Sequence, residues 1–169
     1  MKVCTFTGHR PHKLPWKFNE SDERCQKLKR DLAKAILSAI ADGYDHFICG
    51  GALGVDMWAA EIVLKYKAIF GLSLEIAQPF AGFNENEADE LGKRQQYILA
   101  NADKVTVVSS ADLNDAYRKR NQYMIEQSNR LIAVYNAKQI YSGTAQTVRM
   151  AQKANLEIIQ LQINTAGIC

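Results

Sequence analysis

The chain has 169 residues, 47% of them apolar and 23% charged, which is ordinary globular composition and enough for one domain with a substantial core. Its 21 Lys and Arg against 18 Asp and Glu leave it mildly basic, a balance that neither suggests nor excludes a nucleic-acid partner. No segment holds the roughly 20 continuous apolar residues of a membrane span, so a soluble, cytoplasmic protein is the expectation.

The predicted elements alternate between two periods. Val3 to Thr7 reads as a short strand, ended by the breaker-rich Gly8-His9-Arg10-Pro11. From about Asp22 to Asp42, Leu28, Leu32, Ala35, Ile36, Ala39 and Ile40 recur at helical spacing, with Ser21 as the expected N-cap and Gly43 as the stop. Tyr44 to Cys49 is the second strand, and FICGGALGVDMWAAE carries it through a glycine loop into a helix from about Asp56 to Lys67. Leu72 to Ala77 is a third strand. Asn84 is the expected cap of a helix reaching about Ala100, with Glu85, Glu87, Asp89 and Glu90 near its positive end. Lys104 to Ser109 is a strand, Asp115 to Gln127 a helix, Leu131 to Tyr135 a strand, Thr144 to Ala154 a helix, and Glu157 to Leu161 a last strand. Such alternation, without a linker or repeat, predicts one α/β domain over 1–169. Its expected form is a Rossmann-like, mostly parallel sheet with helices on both faces.

In a sheet of that kind, ligands sit beyond the carboxyl ends of the strands. Gly50, Gly51 and Gly54 fall at that edge, where missing Cβ atoms let a ligand approach main-chain N–H groups. The helix beginning there turns its positive end to the same place, which favours a phosphate or another anion. The spacing is GGxxG, neither GxGxxG nor a P-loop, so a plain strand-to-helix turn explains it as well. Asp56 is either a ligand-facing carboxylate or a first-turn residue favoured by the helix dipole. After the first strand, Thr7, Gly8, His9 and Arg10 bring a hydroxyl, a glycine, an imidazole and a guanidinium together. Arg10 has the planar fork that grips a phosphate, and a surface ion pair explains it equally well. Before the last helix, Ser142, Gly143 and Thr144 form a third small-residue turn. Tyr117, Arg120, Asn121 and Met124 share one helix face at i, i+3/i+4 and i+7, whereas Arg118 and Lys119 read as solvated. Three such turns on one sheet edge favour a nucleotide-sized pocket.

Other features read as structure. Cys4, Cys25, Cys49 and Cys169 form no CxxC pair, and with His9, His12 and His46 they match no familiar zinc spacing, so neither disulfide scaffold nor metal site is expected. Trp58, Ile62, Val63 and Tyr66 read as helix-to-sheet packing, and Lys27, Arg30 and Lys34 as a solvated face. Trp16 either closes over a ligand or anchors its loop to the core.

TGHRP near the N-terminus, CGGALGVD after the second strand, QPF after the third, RNQYMIEQSNRLIAVY, and SGT before the last helix occur in this order. Together they resemble the YpsA-like family of the SLOG superfamily, which also holds DprA (Smf) and the LOG phosphoribohydrolases. The resemblance runs from Val3 to about Ala154. It implies a Rossmann-like sheet and a pocket for NAD, ADP-ribose or a related nucleotide. The matching positions are Gly8, His9, Arg10, Gly50, Gly51, Gly54, Asp56, Arg120, Asn121, Gly143 and Thr144. It also implies a setting in cell division or stress responses. The chain departs from the LOG enzymes at Thr147, where their signature places a glutamate three residues after the glycine-threonine pair. N-ribosidic hydrolysis needs a carboxylate, and Asp56 or Glu61 could replace it only with a different geometry.

Three functions are therefore expected, in descending order. The first is binding or sensing of a nucleotide-derived ligand. The second is a nucleotide N-glycosidase or phosphohydrolase with His9 and Asp56 as catalytic candidates. The third is DprA-like single-strand DNA binding, for which Arg118, Lys119 and Arg120 supply a basic cluster without interleaved aromatics. A homo-oligomer is compatible with the pattern, which sets no stoichiometry.

Overall fold

A computed structural model describes residues 1–86, 89–109 and 115–163. Among these residues, six strands form one parallel sheet: β1 (Val3–Gly8), β2 (His46–Cys49), β3 (Ser73–Gln78), β4 (Lys104–Val107), β5 (Arg130–Val134) and β6 (Glu157–Leu161). Their spatial order is β4-β3-β2-β1-β5-β6. Five helices connect them: α1 (Glu23–Ala41), α2 (Val55–Phe70), α3 (Asp89–Asn101), α4 (Ala116–Glu126) and α5 (Gly143–Lys153). The chain winds outward from β1 to β4, then crosses back through α4 to pair β5 with the other side of β1, Phe6 lying against Ile132. The strand order reverses between β1 and β5, and a doubly wound sheet opens its ligand crevice at that point.

Period-two alternation assigns the faces. Cys4, Phe6, Phe47, Cys49, Leu74, Ile76, Ile132 and Val134 join the large core with residues of α1 and α2. Leu131 and Ala133 turn the other way, against Ile125, Val148 and Ala151 of α4 and α5. Val3, Ile48, Ala77 and Met124 continue that second layer. Phe6 and Phe47 stack across neighbouring strands with ring centroids 6.1 Å apart. Burial pushes the Cys4 and Cys49 thiols up and raises Cys25 to about 11, so all three are protonated and behave as small apolar groups.

Several expected element ends move. Asp22, not Ser21, caps α1: its carboxylate accepts from the Arg24 N–H at 2.9 Å and also holds the Arg24 guanidinium. Two good cap residues stand in tandem, and only the second has that partner. α2 begins at Val55 and continues to Phe70, three residues beyond Lys67, where Gly71 closes it in the left-handed conformation. Asn84 does not open a helix, since the two residues after it lie in a turn. It has φ +61°, and its amide donates to the Gly51 carbonyl at 2.9 Å. Glu87, expected in that helix's first turn, and Cys169 lie outside the described residues. Trp16 anchors its loop: it is buried in the main core with Arg24 against its ring. Trp58 and Val63 are buried as expected of helix-to-sheet packing. No described helix is long and apolar enough to cross a membrane.

Candidate functional site

A cleft of about 320 Å³ opens at the point where the strand order reverses. The turn after β1 lines it with Thr7, Gly8, His9 and Arg10, and α5 with Gly143 and Thr144. From α4 come Tyr117, Arg120, Asn121 and Met124, the face that the helical spacing selects. The glycine loop contributes Ala52 and Asp56. His12 and Lys13, in a 3-10 turn at Pro11–Lys13, complete the rim. The sequence patterns single out neither His12 nor Lys13 for this site.

Gly50, Gly51 and Gly54 stand behind this wall, not on it. A Cβ on Gly50 would lie 2.6 Å from both an Arg120 guanidinium nitrogen and an Asp56 carboxylate oxygen. On Gly51 it would lie 3.1 Å from Ile76, and on Gly54 2.9 Å from the His9 carbonyl oxygen. The glycines make room for the protein's own groups. The loop is strapped from outside: the Gly50 carbonyl accepts from Arg120, and the Gly51 carbonyl accepts from Gln95 at 2.7 Å as well as from Asn84. Gly8 serves both purposes, since it lines the cleft and a Cβ there would strike Val55 at 2.5 Å.

Charge in the cleft is arranged in depth. Arg120 is only 5% exposed; its Nε donates to the Asn121 side-chain carbonyl at 2.8 Å and its Cζ lies 5.9 Å from the Phe83 ring. Asp56 is buried and accepts from the Ala52 N–H at 3.3 Å. Burial raises the Asp56 carboxyl above its ordinary value, opposed first by the positive charge of Arg120. At the rim, Arg10 forms no ion pair among the described residues; its Cζ lies 5.0 Å over the Tyr117 ring. Tyr117 packs edge-on against Phe83 and Phe80, so an aromatic trio backs the guanidinium.

His9 is 3% exposed, and its Nδ1 lies 3.4 Å from the Thr144 hydroxyl while Nε2 is buried without a partner among the described residues. Burial, and after it the charge on Lys13, lowers the His9 pKa, which keeps the imidazole neutral at pH 7. At the start of α5, Ser142 caps the helix by accepting from the Ala145 N–H at 3.0 Å. The N–H groups of Gly143 and Thr144 have no acceptor among the described residues, as expected of a first helical turn.

The hydrolase candidates separate. Glu61 lies outside the cleft, held by Arg94 through bonds of 2.6 and 2.9 Å. Thr147 turns its hydroxyl back to the Gly143 carbonyl at 3.1 Å. Arg118 pairs with Asp115 and does not line the cleft. Asp56 is the one carboxylate among the residues lining the cleft.

Fold and switch-point cleft define a Rossmann-like α/β protein. A model described as the YspA SLOG family (YpsA) matches residues 4–166, so the chain belongs to that family. A UPF0398 protein of Bacillus cereus strain B4264 is 31% identical over 139 residues, covering 80% of this chain and 75% of the relative. One from Bacillus thuringiensis strain Al Hakam is 30% identical over the same length and coverage. Among solved structures, DNA processing protein A (DprA) of Streptococcus pneumoniae superposes with a TM-score of 0.62 at 15% identity. That match covers 98% of this chain but about half, 52%, of the DprA chain, and at that identity it speaks to the fold alone.

Proposed function

We propose that this chain is a cytoplasmic binding or sensing module for a nucleotide-derived anion of the NAD or ADP-ribose class, with occupancy rather than turnover as its output. The observation that carries the reading is Arg10: a guanidinium without an ion-pair partner among the described residues, held over Tyr117 at the mouth of the cleft. A phosphate placed there meets a planar fork of donors, with the free Gly143 and Thr144 N–H groups and the α5 dipole on the facing wall. The volume stands at the small end of the roughly 300–1,000 Å³ typical of ligand sites, which suits one nucleoside phosphate. Cell division or stress response is the setting in which such a sensor would act.

The hydrolase reading has one observation in its favour, the unpartnered Nε2 of a neutral His9 on the cleft. Against it, the lone carboxylate of the lining is buried beside Arg120, and Thr147 stands where the LOG signature has its glutamate. Binding without hydrolysis is the better account.

A thermal-shift titration with AMP, ADP, ATP, ADP-ribose and NAD tests it. A ligand at about 100 times its Kd adds roughly 2.7 kcal/mol, or about 5–11 °C at this chain length. A selective shift is expected, together with its loss in Arg10→Ala. A flat response to every compound overturns the reading.

A further inference from the structure

The cleft does not end at its rim. Lys13 also lines two adjoining depressions, one of about 450 Å³ between Lys138 and Ser142, the other of about 170 Å³ reaching back to His9 and Asn136. Lys13 lines all three spaces. Among the described residues, no carboxylate lines either depression. Lys13 and Lys138 are exposed and form no ion pair among the described residues.

Above this second space stands Tyr141, 94% exposed. A ring so exposed is common on a loose loop, but this loop is pinned. Gln139 N–H donates to the Asn136 carbonyl at 2.9 Å and Lys138 N–H to the Asn136 side chain at 3.0 Å. Arg149 donates to the Ile140 carbonyl at 2.8 Å, and the Ser142 hydroxyl to the Gln139 carbonyl at 3.1 Å. The backbone that carries Tyr141 is thus held in place, and its exposed ring lines the same depression as Lys13 and Lys138.

We infer that these groups form a second subsite, continuous with the first, that takes the distal half of a dinucleotide or nucleoside-diphosphate conjugate. The pyrophosphate bridge crosses Lys13, whose ammonium acts as a point charge between the compartments. The far phosphate meets Lys138, and the far ring stacks on Tyr141. The inference rests on the nucleotide reading of the main cleft and adds to it the residues that would hold the distal half of such a ligand.

Calorimetric titration of the full chain with AMP, ADP-ribose, NAD and a 12-nucleotide thymidine oligomer tests it, using wild type, Tyr141→Ser and Lys138→Gln. Both side chains are exposed, so melting temperatures should be unchanged. ADP-ribose and NAD should bind at least about tenfold tighter than AMP; Lys138→Gln should weaken both about five- to tenfold and Tyr141→Ser should weaken NAD, the one with a second base, to the same extent, while AMP stays within about twofold. AMP binding as tightly as the extended ligands, or indifference of those ligands to both substitutions, overturns the second subsite and leaves the nucleotide reading standing. Binding of none of these compounds overturns both. Preference for the oligomer, dependent on Tyr141 and Lys138, overturns the small-molecule assignment.

Discussion

Arg120→Ala should cost about 3–5 kcal/mol of stability, a fall in melting temperature of roughly 6–20 °C. The guanidinium is buried, donates to the Gly50 and Ala77 carbonyls, and is the leading positive charge acting on buried Asp56. Removing it leaves two carbonyls short of a donor and a carboxylate without compensation, the arrangement in which burial is most costly. The pH dependence gives the cause. Burial places folded Asp56 above its unfolded value, so the ionised form is the one the fold disfavours. The associated stability is present below the ordinary carboxylate range and is lost as pH rises through the folded value. Without Arg120 the folded value rises further. The deficit of the variant, followed by chemical denaturation, should therefore shrink on acidification. Adding Asp56→Asn to Arg120→Ala should recover part of it at neutral pH. A deficit independent of pH, undiminished by Asp56→Asn, would mean that Arg120 acts only through the loop carbonyls.

Gly54→Ala should cost about 2–4 kcal/mol, roughly 4–16 °C, for reasons that add. Gly54 has φ +86° and ψ −126°, a backbone region open essentially to glycine. A Cβ there also falls 2.9 Å from the His9 carbonyl oxygen and 3.1 Å from the Pro11 ring. Neither neighbour is the far end of a flexible side chain. Gly43→Ala is the control: φ is +87°, but nothing lies within 4 Å of a Cβ, so only the conformational cost of about 1 kcal/mol applies. Equal losses in the two variants, read from their melting curves, would show that the contact with the turn after β1 is not what holds Gly54 in place.

Much of this frame was legible in the residues. Alternating strand and helix patterns yield each described strand and α-helix in order, though not the 3-10 turn at Pro11–Lys13, because each hydrophobic period is set by its own backbone geometry. The face of α4 carrying Tyr117, Arg120, Asn121 and Met124 followed from helical spacing alone. The glycine loop was harder. A glycine required by a ligand and one required by the protein's own Arg120, Ile76 or His9 carbonyl look the same in a sequence. The space around them is created by β3, α4 and the β1 turn, far away along the chain. Asn84 misled for a similar reason: a helix cap and a tether to Gly51 ask for the same short polar side chain with access to positive φ. Lys13, Lys138 and Tyr141 carried no local signal, since a lysine or tyrosine in a polar turn is ordinary until the fold brings two turns together.

The most direct test of an anion in the cleft uses Gly143. Nothing lies within 4 Å of a Cβ built there, and its backbone is not in the left-handed region. A carboxylate at the first position of α5 also suits the helix dipole, so Gly143→Asp should fold with an unchanged or slightly raised melting temperature. The same carboxylate would stand on the cleft wall, beside the proposed phosphate position. Calorimetric titration of AMP and ADP-ribose into wild type and Gly143→Asp should show saturable binding to the first, with affinity at least about tenfold weaker in the second. Equal affinity in both proteins, or no heat from wild type, would contradict the account.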